Sequence, residues 1–224
     1  MKVTLKAHSL HWRGKERLRL APVNFTVKQG EIFGLFGDVR SNNAEVISAL
    51  SGTILPESGS LKVLGTSNIA TVREQIGSTF DILGFMPEYS IAKNLKILCM
   101  IKEIRPKEAA KMLVLFDLWN HKDKTLSKCN NEQKKRMAII CALIGNPDII
   151  LLDRPLESLS KGYALIVCKL LRKAAANGQT VFITDDLSAK ISKICTQTME
   201  LEKQPTKSQI RKIKKTYLIN KKAS

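Results

Sequence analysis

The sequence predicts an α/β fold with a mostly parallel sheet, an antiparallel β subdomain and an inserted helical subdomain. Residues 148–153 form a continuous apolar run that ends in a carboxylate, which is typical of a central parallel strand buried on both faces. Helical and strand patterns alternate after this run as far as residue 201, and such alternation favours parallel pairing. Residues 31–52 add an apolar strand, a loop and a helix closed by Gly52.

The first third of the chain is predicted to be rich in β-structure. Two short β-prone runs, 3–12 and 18–27, flank a turn at 13–15, as in an antiparallel hairpin. Gly30 precedes the apolar strand 32–36, and a turn at 56–59 leads to a further strand at 60–64. These strands place a sheet around the loop that follows residue 36.

The rest of the chain is predicted to be mainly helical with strands between the helices. A strand at 76–80 precedes helical patterns whose starts and stops are marked by Pro106 and by Gly145-Asn146-Pro147. The predicted helices are 91–104, 107–118, 131–144, 161–176 and 187–195, and the later strands are 180–184 and 198–201. The first three of these helices form the inserted layer.

Length and charge limit the classes of protein that fit. A chain of 224 residues forms one domain with a real hydrophobic core. Its formal charge is +17, and eight basic residues without an acid fall in 203–224, which leaves 17 minus 8, or +9, on the first 202 residues. This balance suits anionic partners such as nucleic acid or the inner face of a membrane, and it is also compatible with an ordinary solvated surface.

Targeting segments and metal sites are not indicated by the sequence. No window holds 18 apolar residues and the first residues lack a signal-peptide core, so we expect a cytoplasmic protein, at most peripheral on the inner face of the cell membrane. Five cysteines and three histidines are scattered without ligand spacing, so we expect no disulfide and no metal site. Residues 203–224 form either a short basic amphipathic helix that contacts an anionic membrane surface or a solvated tail.

The loop after residue 36 has the layout of a phosphate-binding loop, G-x-x-x-x-G-K-[ST], with Gly37 as its first glycine. The other motif letters differ, because Asn42, Asn43 and Ala44 stand at the positions of the second glycine, the lysine and the hydroxyl. Asn42 is a good N-cap, and Glu45 is placed to complete a capping-box-like pair. A carboxylate in the first turn occupies the positive helix end that would otherwise attract phosphate. The sequence therefore predicts the scaffold of a phosphate site without its chemistry.

Four landmarks, in order, resemble the nucleotide-binding subunit of an ABC transporter over residues 1–202. They are Gly30–Gly37 entering the loop, Gly59–Gly65 after the first helix, Gly145–Asp153 as the Walker B segment and Gly178–Thr184 before the switch. The resemblance implies a P-loop NTPase-like ABC ATPase fold with a helical insertion at about 88–145, followed by the basic tail 203–224. It also implies ATP hydrolysis between two subunits, which the individual positions can test.

At its catalytic positions the chain departs from the family pattern. Arg154 stands where the family has its catalytic glutamate, Asp186 at the switch histidine and Asp81 at the glutamine that senses magnesium. The degenerate signature, in the register without gaps, is Cys129, Asn130, Asn131, Glu132 and Gln133, with Glu132 at the position that faces the γ-phosphate; a register beginning at Leu126 needs an insertion. The vestigial nucleotide-site positions are Gly37, Asp38, Arg40, Ser41, Asn42, Asn43, Ala44, Glu45, Asp81, Asp153, Arg154 and Asp186.

These substitutions predict a catalytically inactive ABC ATP-binding-subunit homologue without a cofactor, in which ATP and magnesium bind only if the altered loop still holds them. We expect no catalytic residue, and we expect Arg154 to form an ionic network with one or more of Asp81, Asp186 and Glu45, with Asp153 in a salt bridge. The implied partners are an ABC permease and a second ATPase subunit in a homo- or heterodimer. The alternatives are a soluble regulatory or nucleic-acid-associated protein, with nucleic acid less favoured, and a divergent ATPase that still binds ATP.

Overall fold

The computed structural model describes residues 2–11, 22–37, 43–186 and 189–201, without the side chains of residues 44, 189 and 190. These residues form a five-stranded parallel sheet and a three-stranded antiparallel sheet. No helix among them is both long enough and apolar enough to span a bilayer. The predicted turn at 13–15 and the basic tail 203–224 lie outside the described residues.

The antiparallel sheet has the order β2-β1-β4. Its strands are β1 (Val3–His11), β2 (Val23–Lys28) and β4 (Ser58–Val63). Burial alternates strictly along β2, because successive side chains of a strand point to opposite faces and one face of this sheet meets the core. The predicted antiparallel pairing of the first two strands is confirmed.

The parallel sheet has the order β5-β6-β7-β3-β8. Its strands are β3 (Ile32–Phe36), β5 (Ile76–Ser78), β6 (Ile149–Asp153), β7 (Thr180–Asp185) and β8 (Gln197–Glu200). The first four residues of β6 have no solvent exposure, as predicted for a central strand covered on both faces.

Six α-helices connect these strands. They are α1 (Asn43–Leu50), α2 (Ile91–Ile101), α3 (Pro106–Leu115), α4 (Asn131–Leu143), α5 (Lys161–Ala176) and α6 (Ala189–Ser192). The bounds of β3 and α5 are those predicted from the sequence. Pro106 occupies the first turn of α3, where the missing N–H group of proline costs no helical hydrogen bond.

Two hydrophobic cores lie on opposite faces of the parallel sheet. Alternate residues of each strand supply them, so that Ile150 and Leu152 face one core while Ile149 and Leu151 face the other. The first core contains apolar residues of α2 to α5, and the second contains those of α1 and the antiparallel sheet. The sheet is therefore held between a helical layer and a β layer, and its strand ends remain at the rim.

Several predicted boundaries are wrong by a few residues for identifiable reasons. The strand predicted at 76–80 ends at Ser78, whose hydroxyl accepts a hydrogen bond from the Phe80 N–H group and starts a 3-10 helix at Thr79. The helices predicted to reach 104 and 118 end at Ile101 and Leu115. After each of them a residue with positive φ, Glu103 or Asp117, turns the chain and ends the helix.

Candidate nucleotide site

The carboxyl ends of three neighbouring parallel strands form the candidate site. Phe36 pairs with Asp185, and Asp153 pairs with Thr184, so the residues that follow β3, β6 and β7 share one edge of the sheet. The Gly37 N–H group donates to the Asp185 carbonyl oxygen at 3.2 Å, which joins the start of the loop to the end of β7. In open parallel sheets ligands bind at such an edge.

Asn43, at the position of the phosphate-binding lysine, is turned into the protein. Its side chain is buried and donates from Nδ2 to the Gly37 carbonyl oxygen at 3.1 Å and to the Asp185 carbonyl oxygen at 3.3 Å. The side-chain amide thus spans the base of the loop instead of presenting a cation at its mouth. Glu45 lies in the first turn of α1, as predicted.

Four of the predicted nucleotide-site positions lie outside the described residues, and a fifth is described by its backbone alone. The predicted cap at Asn42, and with it the capping-box-like pair to Glu45, lies outside the described residues, as do Asp38, Arg40 and Ser41. Ala44 lies within α1, but its side chain is outside the description.

Asp153 is the last residue of β6, and it forms hydrogen bonds with two threonine hydroxyl groups. Its Oδ1 atom accepts a hydrogen bond from the Thr184 hydroxyl at 2.7 Å, and its N–H group donates to Thr79 Oγ1 at 3.1 Å. The partner described for this carboxylate is therefore a hydroxyl rather than the cation that the sequence predicted. This arrangement fixes the carboxylate across β6 and β7.

Arg154, at the position of the catalytic glutamate, pairs with Asp186, at the position of the switch histidine. Arg154 Nη2 lies 3.5 Å from Asp186 Oδ1, and both side chains are partly exposed. The Arg154 backbone has φ of 43°, in the left-handed region, and its N–H group donates to the Thr184 carbonyl oxygen at 2.8 Å. Arg154 Nε is buried without a hydrogen-bond partner among the described residues. The predicted ionic pairing of Arg154 thus involves Asp186.

Lys135 supports the Arg154 turn from α4. Its Nζ atom donates to the carbonyl oxygens of Arg154 at 3.0 Å and Asp153 at 3.4 Å, and Glu157 lies 4.0 Å away. Burial lowers the pKa of the Lys135 ammonium below its usual value, and the carboxylate of Glu157 partly offsets this shift. A partly buried cation therefore lies beside the backbone of Arg154.

The pKa of an acidic group at the end of β7 is also shifted by burial. Burial raises the pKa of the Asp185 carboxyl above its usual value, and the hydrogen bond from the Asp186 N–H group acts in the opposite direction.

Among the described residues no group of three His, Cys, Asp or Glu side chains is arranged to hold a metal ion.

We predict a small, salt-dependent loss of stability when Arg154 is replaced by alanine. The pair with Asp186 is partly exposed, so its loss should cost about 0.5 kcal/mol in low salt and less in high salt. Urea unfolding at two ionic strengths measures this difference, and a double-mutant cycle with Asp186→Ala isolates the pair. Equal stability of Arg154→Ala and wild type at both ionic strengths would contradict an ionic network here.

Asp81 belongs to a different ionic network from that of Arg154. Its Oδ2 atom lies 2.6 Å from Lys102 Nζ and its Oδ1 atom 3.5 Å from Arg73 Nη2. Lys102 Nζ also donates to the Ile76 carbonyl oxygen at 3.1 Å, and the Asp81 side chain is only 7% exposed. The expected pairing of Arg154 with one or more of the three carboxylates is therefore met by Asp186 and not by Asp81, because Lys102, which follows α2, lies within hydrogen-bond distance of the Asp81 carboxylate.

Residues 129–133, predicted to be the signature, lead into the start of α4. Asn130 Oδ1 accepts from the Gln133 N–H group at 2.8 Å, while Gln133 Oε1 accepts from the Asn130 N–H group at 3.1 Å. This reciprocal capping box satisfies two amide groups at the helix start. Cys129 is buried just before the cap, and burial raises the pKa of its thiol, while Asn131 is exposed.

Glu132 is held within the chain. Its Oε1 atom accepts a hydrogen bond from the Ser160 N–H group at 2.8 Å, and this bond lowers the pKa of the Glu132 carboxyl. The sequence predicts that this carboxylate points at a γ-phosphate position. In the structure it satisfies the amide at the start of α5, where a negative charge is favoured by the helix dipole.

A cavity of about 430 Å³ brings part of the signature and the end of β6 together. Thr79, Asn131 and Asp153 line it, and Lys134 and Lys135 contribute two cations. A second, open groove of about 700 Å³ lies beside Asp81, between the 3-10 segments at 69–84 and α2. Leu83 and Ile101 line this groove with large exposed apolar surfaces, 78% and 68% accessible.

Residues 20–157 of the chain match a known family model, that of the ABC transporter. The chain belongs to the ABC transporter ATP-binding family. The resemblance predicted from the sequence is therefore confirmed at the level of the family.

Curated ABC relatives match most of the chain. The uncharacterized ABC transporter ATP-binding protein YybJ of Bacillus subtilis is 28% identical over 190 residues, which cover 84% of this chain and 87% of that protein. The bacitracin transport ATP-binding protein BcrA of Enterococcus faecalis is 25% identical and the Nod factor export ATP-binding protein I of Burkholderia orbicola is 23% identical. These alignments cover 87% and 84% of this chain but only 65% and 64% of the two relatives.

Solved ABC cassettes share the fold. The dimeric structure of the bacterial ABC transporter cassette MJ0796 matches with a TM-score of 0.78 and 22% identity, covering 88% of this chain and 94% of that one. Its post-hydrolysis form bound to ADP and Pi matches with a TM-score of 0.79 at the same identity and coverage. The predicted ABC ATPase fold is thus confirmed.

Two cations of α4 were missed by the sequence analysis. Lys135 contacts the β6 end, and Arg136, which is 6% exposed, donates to the Phe116 carbonyl oxygen at 2.7 Å and lies 4.3 Å from the Tyr163 ring centroid. The sequence indicated these residues only by their position, two and three residues after Gln133 at the end of the predicted signature. Their partners are more than ten residues away in sequence, so local patterns do not identify the contacts.

Proposed function

We propose that this chain is a non-hydrolysing member of the ABC ATP-binding family that acts as a protein partner of a membrane permease or of an active ATPase subunit. The observation that carries the proposal is the Arg154–Asp186 pair at the edge of the sheet. A guanidinium is always protonated and accepts no proton, so Arg154 is unable to orient an attacking water as a glutamate does.

The described residues fit a magnesium-bound triphosphate poorly. Catalysis of phosphoryl transfer depends on cations that neutralise developing charge and on groups that position the reactants. The Asn43 side-chain amide donates hydrogen bonds to two backbone carbonyl oxygens. The residue at position 44 has no hydroxyl. The Asp153 carboxylate accepts a hydrogen bond from Thr184. Lys135 is a cation close by, but its hydrogen bonds are made with backbone carbonyl oxygens.

The groove beside Asp81 supports the interaction part of the proposal. It combines exposed apolar side chains, including Leu83 and Ile101, with a volume of about 700 Å³. Exposed apolar surface of this kind is typical of protein contact sites. A short helical segment of a permease is the occupant that we propose for the groove.

We expect Mg-ATP at 1 mM to leave the melting temperature unchanged. A ligand that binds with a Kd about tenfold above its concentration adds only about 0.06 kcal/mol of stability by linkage. Differential scanning fluorimetry measures the shift, with an ABC ATPase that keeps intact motifs as the positive control in the same buffer. A stabilisation of about 4 kcal/mol, which corresponds to micromolar affinity, would contradict the proposal and favour a divergent ATPase.

We expect Leu83→Asp to prevent recovery of the chain with membrane proteins while leaving the fold intact. Leu83 is exposed, so the added charge should change the stability by less than about 0.5 kcal/mol. Affinity purification from detergent-solubilised cells, followed by mass spectrometry, compares this variant with wild type. Leu115→Asp, on α3 and also exposed, is the matched control. Recovery of a permease with Leu83→Asp to the same extent as with wild type and Leu115→Asp would exclude this groove as the permease site.

A further inference from the structure

A groove between α5 and the residues that follow α6 is lined by apolar and basic side chains. Its volume is about 380 Å³, within the range of sites for small organic ligands. Leu156, Leu165 and Ile194 are among its apolar lining residues. Three exposed cations also line the groove: Lys161, Arg172 and Lys193.

The geometry of α5 makes this groove elongated. Lys161, Leu165, Cys168 and Arg172 recur at helical spacing, so they lie on one face of the helix. Lys161 and Arg172 are eleven residues apart, which corresponds to about 16 Å along the axis. The groove is therefore long enough for an extended alkyl chain with a charged head at one end.

Charge selects the kind of ligand. Three cations and no carboxylate stand among the described residues that line the groove, and Leu165 is 63% exposed beside them. An apolar chain would remove this leucine from water, while an anionic head would pair with these cations. A carboxylate matches the planar fork of the Arg172 guanidinium, with which it forms two parallel hydrogen bonds.

We propose that the groove between α5 and the residues that follow α6 binds a long-chain carboxylate, with the alkyl chain on Leu156, Leu165 and Ile194 and the carboxylate at Arg172. This site lies apart from the candidate nucleotide site and does not depend on the function proposed above.

Isothermal titration calorimetry of the full chain tests the proposal with sodium decanoate below its micelle concentration. We expect one saturable site, and we expect the Kd to fall about 4-fold for each CH₂ group added from octanoate to decanoate. Decyltrimethylammonium and decyl glucoside, which carry a cationic and a neutral head on the same chain, should bind at least 10-fold more weakly. Equal binding of all three amphiphiles would overturn the proposal.

Variants locate the site. Arg172→Gln should raise the Kd for decanoate about 10-fold, and Leu165→Glu, which places an acid in the groove, should abolish binding. Lys169→Gln is the matched control, since Lys169 is an exposed α5 lysine that does not line the groove. Circular dichroism checks that each variant is folded. Unchanged affinity in Leu165→Glu, or binding to phosphatidylglycerol vesicles without binding to monomeric decanoate, would overturn the proposal.

Discussion

Replacing Asp81 by alanine is expected to lower the free energy of unfolding by about 3–5 kcal/mol. The carboxylate is 7% exposed and lies 2.6 Å from Lys102 Nζ, which is itself only 13% exposed. Removal of the Asp81 carboxylate leaves the mostly buried Lys102 ammonium with the neutral Ile76 carbonyl oxygen in place of an anion, and this loss is larger than the net value of the pair. Urea unfolding followed by circular dichroism measures the change.

Two controls separate the buried charge from other effects of the substitution. The double replacement Asp81→Leu with Lys102→Met removes both charges and should stay within about 1 kcal/mol of wild type, because no unpaired ion remains. Asp123→Ala removes an exposed carboxylate that lies 2.7 Å from Lys122 Nζ, and it should have no measurable effect. A loss in Asp81→Ala as small as in Asp123→Ala would show that the network contributes little.

Replacing Phe182 by alanine is expected to cost a similar 3–5 kcal/mol. Phe182 lies in β7 without solvent exposure, and its ring centroid is 5.2 Å from that of Phe33 and 5.1 Å from that of Phe25. Because Phe25 belongs to the antiparallel sheet, this aromatic cluster joins the two sheets. The substitution removes apolar contacts and leaves a cavity in the second core.

Phe182→Leu is the matched control for the size of that cavity. It keeps an apolar side chain in the core and should lose clearly less stability than Phe182→Ala, about 1–2 kcal/mol. Thermal unfolding followed by tryptophan fluorescence and by circular dichroism reports whether the two sheets still unfold together. If alanine and leucine at this position were equally stable, the aromatic cluster would not link the sheets in the way described.

The fold was predicted well because its signals are local. The apolar run of β6, the period of α5 and the stop at Gly145-Asn146-Pro147 depend on neighbouring residues and on burial, and these elements were found close to the predicted bounds. Predictions were poorer where a short-range contact overrode the pattern, as at Ser78, whose hydroxyl starts a 3-10 helix. Periodicity does not distinguish the end of a strand from such a cap.

The candidate site was predicted in its residues but only partly in its contacts. The pairing of Arg154 with a carboxylate was expected, and Asp186 is the partner in the structure. Asp81 and Glu132 were expected to face the nucleotide position, whereas Asp81 pairs with Lys102 and Glu132 accepts a hydrogen bond from Ser160. In both cases the partner flanks another helix, since Lys102 follows α2 and Ser160 precedes α5.

The sequence by itself determined the order of strands and helices, the ABC family and the residue types at the motif positions, because spacing and composition carry these. The tertiary structure decided which charges meet, since Lys102, which follows α2, and Lys135 of α4 reach Asp81 and the end of β6 only when the helical layer packs on the sheet. Ionic partners within about 4 Å dominate the local electrostatics, and their identity depends on this packing. For that reason the contacts of Lys102 and Lys135 were identified from the structure and not from the sequence.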